Sequence, residues 1–288
     1  MFLMLSAEDT DLNATPKTTD KGVGWFVGIT DFSPEDYDWR EGRLIARDAM
    51  APFDATSKGG LGGFVVKHIY ADHNSTAAVR RALAPLLAEF ARDESRRGLN
   101  FGSGGMQFHK RFINLDVQNT KSVDIVSNGG RIPLADASID LIITQEVLEH
   151  VADYRAALGE LERVLRPGGE IYCQLPFQIG FHPGPYDFRR FSRHGVVDLF
   201  AGPQWSIRQV GISVGHGTAL YRIMVEFFAV TASALHQVLY KPMKGAASIL
   251  LWPLKLFDGL TERSAERDRI AGGYFVVATR TEAPSSGR

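Results

Sequence analysis

The 288 residues carry 32 Lys and Arg against 33 Asp and Glu, a formal net charge of −1, and 44% of them are hydrophobic. The balance excludes a large electrostatic footprint for nucleic acid, and the apolar share suffices for a sizeable core. The single cysteine, Cys173, excludes an intrachain disulfide and fits a reducing compartment.

The apolar start Met1–Leu5 has no basic flank and meets Glu8, Asp9 and Asp11 at once, unlike a secretory leader. No stretch offers about 20 consecutive apolar residues, so no ordinary transmembrane helix is expected. Residues 1 to about 22 are rich in Thr, Asp and Lys and read as a mobile tail. Gly24–Thr30 reads as a short strand, Asp31–Trp39 as loop or one helical turn, and Arg40–Met50 as a helix ended by Pro52. Ser57–Gly63 is a glycine-rich joint, and Phe64–Tyr70 fits strand or helix equally.

Asn74–Arg92 predicts a helix capped by Asn74 or Ser75, with Val79, Leu83, Leu86, Leu87 and Phe90 on one stripe. Pro85 predicts a kink or a split within it. From Leu99 onward strands and helices alternate. Strands are expected at Leu99–Phe101, Phe112–Leu115, Val123–Val126, Ile139–Thr144, Glu170–Leu175, Trp205–Gly211 and Tyr274–Thr279. Between them, Asp153 caps a helix through Arg166 that Pro167-Gly168-Gly169 stops, and Ser192 caps another. This alternation means an α/β fold with a mostly parallel sheet. Between the last two strands lies an apolar insertion, about residues 217–270. It reads as helices Ala219–Tyr240, broken by Pro242, and Ala246–Leu260, followed by a solvated mixed-charge run to Arg269. It fits a helical lid on the sheet, a dimerisation hairpin or an in-plane membrane anchor, with Trp252, Leu250, Leu251, Leu254, Leu256 and Phe257 beside Lys241, Lys244 and Lys255 suiting an interface.

The segment Gly98-Leu-Asn-Phe-Gly-Ser-Gly-Gly105 reads as a strand ending in a tight loop. Glycine reaches φ > 0 and lets a ligand approach bare backbone. At the carboxyl end of a parallel strand, that is where open α/β sheets bind nucleoside-like ligands. Gln107 stands where the third glycine of a dinucleotide fingerprint belongs, which lowers a nicotinamide-dependent reductase reading.

Five features follow in order: Leu99-Asn-Phe-Gly-Ser-Gly-Gly, Asn114-Leu-Asp116, Arg131-Ile-Pro-Leu-Ala-Asp-Ala-Ser-Ile-Asp140, Gln145-Glu-Val-Leu-Glu-His150 and Arg163-Val-Leu-Arg-Pro-Gly-Gly169. With these, residues 98–205 resemble a class I S-adenosylmethionine-dependent methyltransferase of the small-molecule "methyltransferase domain" type. The resemblance implies a Rossmann-like sheet, mostly parallel with the last strand antiparallel. It divides the chain into an N-terminal extension, 1–70, and a methyltransferase domain, 71–288, holding the insertion.

It also implies roles. Asn100, Gly102, Ser103 and Gly104 would form the donor loop, although Asn100 stands where an acidic residue is common. Asp116 would accept from ribose hydroxyls; the alternative is a turn-capping aspartate. Asn128, followed by Gly129, would meet the adenine amine, or simply form an Asn-Gly turn, with Ile132 packing on the adenine face. Gln145 and Glu146 would lie beside the sulfonium. Glu149-His150 fits either a structural helix-start pair or catalysis. The short run from Gly105 to Asp116 leaves room for one or two helical turns.

After the fifth domain strand, Pro176–Phe191 gathers His182, Tyr186, Asp187, Arg189 and Arg190. It resembles a segment found in a subset of these enzymes. His182 is the first candidate base and His150 the second. Tyr186, Asp187, Arg189 and Arg190 are candidates for acceptor binding, the arginines toward an anionic group; alternatively Asp187 and an arginine fix the segment. The expected activity is O-methylation of a small-molecule or glycan acceptor in the cytoplasm or at the inner face of a membrane. The rival is a catalytically silent relative acting as a scaffold through the insertion. No set of His, Cys, Asp and Glu has metal-ligand spacing along the chain, so no metal is expected.

Overall fold

The computed structural model describes residues 36–40, 43–47, 76–128 and 130–282. The expected tail, the strand at Gly24–Thr30, the joint at Ser57–Gly63 and the element at Phe64–Tyr70 lie outside them. Among the described residues the strands are β1 (Tyr37–Arg40), β2 (Arg43–Ala46), β3 (Gly98–Phe101), β4 (Phe112–Asp116), β5 (Ile125–Val126), β6 (Ile139–Gln145), β7 (Leu165–Pro176), β8 (Trp205–Val214) and β9 (Gly273–Arg280). They pair in the order β1-β2-β5-β4-β3-β6-β7-β9-β8. From β5 to β7 all pairings are parallel, and β9 runs antiparallel to both β7 and β8. This is the sheet the resemblance implies.

Central parallel strands are buried on both faces, and alternation sorts their side chains. Leu141, Ile143, Tyr172 and Phe275 point to one face, where helix α1 (Ala77–Arg92) packs with Val79, Leu83, Leu86, Leu87 and Phe90. Ile142, Ile171, Cys173 and Val276 point to the other, under helices α2 (Tyr154–Val164) and α3 (Arg193–Asp198). The α1 stripe is as expected, but its cap is Thr76, whose hydroxyl accepts from Val79 N, and the helix is not split at Pro85. Arg111 closes its far end by donating to the carbonyls of Phe90 and Ala91.

Other boundaries move for local reasons. Arg40–Met50 does not form the expected helix: the described residues there make a β-hairpin, with β2 adding in parallel to β5. Sheet pairing overrides a helix-compatible pattern. Asp153 caps α2 as expected, but the helix ends at Val164, because the chain from Leu165 pairs with Ile139. The run from Gly102 to Arg111 contains turns and no helical turn.

The insertion differs most. Helix α4 (His216–Leu235) ends at His236, which caps the next turn, and Pro242 lies inside helix α5 (Tyr240–Leu250), where a proline early in a helix is tolerated. A 3₁₀ segment, Trp252–Phe257, leads to helix α6 (Asp258–Thr261). These pieces pack on one another, with Tyr221, Val225 and Ala247 as a small core of their own. Against expectation, α4 is long and apolar enough, by length and composition, to cross a membrane. Large side chains stay outside: Leu235 is 84% exposed, Leu250 78% and Leu256 68%.

Tyr37 joins the edge hairpin to the loop after β5, its hydroxyl donating to Arg131 O at 2.9 Å and lying 3.3 Å from Ser127 Oγ. Tyr37→Phe is expected to lower stability by about 0.5–1.5 kcal/mol in denaturant unfolding, the usual worth of such a bond. No measurable change would mean that the hairpin does not anchor this loop.

Candidate functional site

At the carboxyl ends of β3, β4 and β6 lies a cavity of about 500 Å³, lined on one side by Asn100, Gly102, Ser103, Gly104 and Asp116. The sequence folds this way because one strand end binds the next. Gly102 N and Ser103 N both donate to Leu115 O, at 2.8 and 3.1 Å. Gly104 N donates to Asp116 Oδ2 at 2.7 Å, and Gln118 N donates to Asp116 Oδ1 at 2.8 Å. Gly102 and Gly104 have φ of 73° and 55°, the left-handed region. A Cβ on Gly102 would overlap the Val147 side chain, whereas one on Gly104 would meet nothing within 4 Å.

Asp116 is therefore a turn cap in this structure while also lining the cavity. Each carboxylate oxygen keeps a lone pair beyond its backbone bond. Burial raises its pKa, opposed by the bonds from Gln118 and Gly104. The Ser103 hydroxyl is buried with no partner among the described residues. Asn100 does not address the cavity with a charge: its amide donates to Met106 O at 2.8 Å and lies 3.3 Å from Asn114 Oδ1, tying the loop to the strands.

Around the rim, Asn128 accepts from Gly130 N at 3.0 Å, which is the ordinary Asn-Gly turn, though it also lines the cavity. Gly129 lies outside the described residues. Ile132 is corrected: it is fully buried in the core under α2, and does not line the cavity as an adenine platform would. Gln145 and Glu146 do line it. Gln145 is bonded to Gln174, and Glu146 takes a left-handed φ of 54° with its amide held by Gln174 O. Such strain in a non-glycine residue clusters at functional sites.

The other wall is the segment after β7. Gly184, Pro185, Tyr186 and Phe188 line the cavity beside His150. Phe188 N donates to Glu149 O at 2.9 Å, and His150 Nδ1 lies 2.5 Å from Tyr186 O, so this segment is bonded onto the Glu149-His150 turn. Asp187 and Arg190 form a two-bond ion pair within the segment, with Asp187 also accepting from His182 N at 2.9 Å. Burial raises the Asp187 pKa, but the Arg190 bonds outweigh it and hold the carboxyl at about 2. Arg189 donates to Val151 O and Ala152 O over the Tyr154 ring. Of the four acceptor-binding candidates, Tyr186 lines the cavity, and Asp187, Arg189 and Arg190 build the wall behind it.

The two candidate bases meet on one group. His150 and His182 pack edge to face, with ring centroids 5.1 Å apart. Their Nε2 atoms lie 3.6 and 3.7 Å from Glu149 Oε1. Glu149 is fully buried, and neither of its oxygens has a hydrogen-bond partner among the described residues. Burial first, and repulsion from Glu146 second, push its pKa up to about 8. Sequence reasoning named Glu149 only as half of a pair; its meeting with His182 depends on how the segment after β7 folds back.

Residues 99–173 match the family model described as "Methyltransferase domain". A protein of Mycolicibacterium smegmatis named "Probable S-adenosylmethionine-dependent methyltransferase" is 28% identical over 142 residues, 46% of this chain and 52% of that one. A demethylmenaquinone methyltransferase of a Geobacillus species is 30% identical over 34% of this chain and 45% of its own. A probable S-adenosylmethionine-dependent methyltransferase of Mycobacterium tuberculosis is 38% identical over 25% and 29%. The chain thus spans about half, or less, of these relatives' lengths.

Gly102→Ala is expected to cost roughly 2–4 kcal/mol, about half from left-handed backbone and half from overlap with Val147. Thermal unfolding of Gly102→Ala with and without Val147→Ala checks this: the second change should recover the overlap part alone. Full tolerance of the single substitution would show that the loop is not held in this conformation.

Proposed function

We propose that this chain, which carries a methyltransferase domain over residues 99–173, moves a methyl group from S-adenosylmethionine to a hydroxyl oxygen of a small-molecule or carbohydrate-like acceptor. One observation carries the reading. A single cavity joins the left-handed glycine backbone and the Asp116 carboxylate to His150 on the opposite side. A donor end and an acceptor end are thus in one enclosure.

The donor-side residues fit the group. Bare backbone at Gly104 leaves space for a ligand, Asp116 has lone pairs left for ribose hydroxyls, and the buried Ser103 hydroxyl lacks a partner among the described residues. When bound, S-adenosylmethionine supplies an electrophilic methyl on a positively charged sulfur. The chain's own contribution is to hold donor and acceptor in line and keep water out, the effect from which much of such a rate comes. Tyr186 and Phe188, both partly exposed, offer the acceptor an aromatic wall. A hydroxyl acceptor must also shed a proton. The Glu149, His150 and His182 group at the acceptor end favours oxygen as the atom methylated.

Calorimetry with S-adenosylmethionine tests the donor site. Gly104→Arg should abolish binding by filling the cavity, and Asp116→Ala should weaken it tenfold or more. Binding unchanged in both variants would place the donor elsewhere. Transfer from labelled donor to hydroxyl-bearing small molecules then tests the oxygen assignment, and label on nitrogen or carbon alone would refute it.

The exposed apolar side of the insertion favours a second reading for that part of the chain, contact with an anionic lipid surface. Leu235, Leu250, Leu256 and Phe257 are exposed there, and residues 236–261 hold Lys241, Lys244 and Lys255 against Asp258, with Lys244 paired to Glu226. Apolar side chains beside cations suit a lipid interface. The protein should float with anionic vesicles, and Leu250→Glu with Leu256→Glu should release it. A dimer in light scattering without vesicle binding would overturn this reading.

A further inference from the structure

We infer that Glu149, His150 and His182 form a mononuclear binding site for a divalent transition-metal ion, beside the cavity that His150 lines. One donor atom from each residue lies within 4.8 Å of the other two. Each histidine offers Nε2, and Glu149 offers a carboxylate oxygen at 3.6 and 3.7 Å from them. Tetrahedral ligation at about 2.0–2.1 Å puts ligand atoms roughly 3.3–3.4 Å apart, close to the two distances from Glu149 and inside the 4.8 Å that bounds the set.

Three further features point to a cation. Both imidazoles are already oriented by backbone carbonyls, His150 Nδ1 on Tyr186 O and His182 Nδ1 on Gly180 O at 2.9 Å. With Nδ1 of each ring held at a carbonyl, Nε2 of each is turned toward Glu149. That is how ligating histidines are commonly held. Second, the donor atoms have nothing else to do. His182 Nε2 and both Glu149 oxygens are buried without a hydrogen-bond partner among the described residues. Burying such atoms unpaired is costly, and a cation that displaces the Glu149 proton and takes these atoms as ligands removes the cost. Third, the group borders the cavity: His150 and Gly184 line it, with Glu149 and His182 behind His150.

The donor set selects the metal. Two imidazoles and one carboxylate suit Zn²⁺, Fe²⁺, Co²⁺ or Mn²⁺, and not the all-oxygen preference of Mg²⁺ or Ca²⁺. Asp187 supports the site from behind: its carboxylate accepts from His182 N and pairs with Arg190, and the Arg190 guanidinium donates to Gly180 O beside the ring. The inference rests on the proposed transfer reading only for its use. There, the acceptor would be a molecule whose reacting hydroxyl ligates a divalent ion, which would lower its pKa so that its proton is lost to solvent and the oxygen is left as the nucleophile.

The full chain, stripped with chelator and titrated with Zn²⁺ or Co²⁺, tests this. One equivalent should bind, and Co²⁺ should give the visible bands of a four- or five-coordinate N/O site. Glu149→Gln, which keeps side-chain volume, and His182→Ala should each weaken binding 10-fold or more and remove the bands. Thermal unfolding and S-adenosylmethionine binding of the same variants report whether they remain folded. If a variant does not fold, His150→Gln supplies the same comparison. No stoichiometric binding to the wild-type chain, or binding equal in wild type and folded variants, would overturn the site. Failure of the donor to bind would count against the proposed function and leave the metal titration to be judged on its own.

Discussion

The carbonyl of Leu115 holds the glycine loop in place. It accepts two amide hydrogens in succession, from Gly102 and Ser103, while the next side chain, Asp116, accepts a third from Gly104. Three consecutive amides of one strand's exit are thus fixed to the end of its neighbour. Only glycine gives the left-handed backbone this needs at 102 and 104 without a Cβ penalty. The constraint also explains the short path from β3 to β4. A loop bonded directly to the adjacent strand does not require an intervening helix, and Asn100 replaces what such a helix would do by tying Met106 O back under the loop.

A second constraint sits across the cavity, where the charge balance is unusual. Glu149 is buried with Glu146 nearby, and burial together with that repulsion disfavours its ionised form. Its surroundings are nevertheless rigidly specified. The Asp187–Arg190 pair fixes the turn that carries His182, and Tyr186 O fixes the His150 ring. The polar connections in this wall are directed at positioning two imidazoles over one carboxylate. Ordering those side chains is worthwhile only if something is then placed among them. This is why the arginines, attractive as anion binders in the sequence, are already engaged in the structure.

The fold was largely legible because its signals are local. Strand runs at Leu99, Phe112, Ile139 and Tyr274, and the caps at Asp153 and Ser192, depend on residues within a few positions of each other. The misreadings came where distant pairing decided the outcome. Arg43–Ala46 became a strand because β5 offered an edge, and α2 stopped early because Leu165 found Ile139. The placing of the glycine loop and Asp116 together at the cavity was legible for the same local reason: glycine and aspartate mark strand ends. Ile132 misled because its role was assigned from its place in an aligned motif, whereas α2 covers it through Glu160, which accepts from Ile132 N. The acceptor side was hidden. His182 is remote from Glu149-His150 in sequence, and no spacing rule along the chain brings them together.

The insertion shows a division of labour along the same chain. It enters immediately after β8 and returns at β9, so it hangs from the edge of the sheet that lies farthest from β4 and β5. None of its residues lines the cavity. It is tied together internally by polar bonds: Asp258 accepts from Thr218 N and from the Thr218 hydroxyl, and His216 is 2.7 Å from the Thr261 hydroxyl. A Cβ on Gly217 would collide with Leu254 O, so the start of α4 and the 3₁₀ segment lie at backbone distance. Its exposed apolar side chains are therefore carried on an internally bonded unit that lies apart from the cavity, so a change at the one need not alter the geometry of the other.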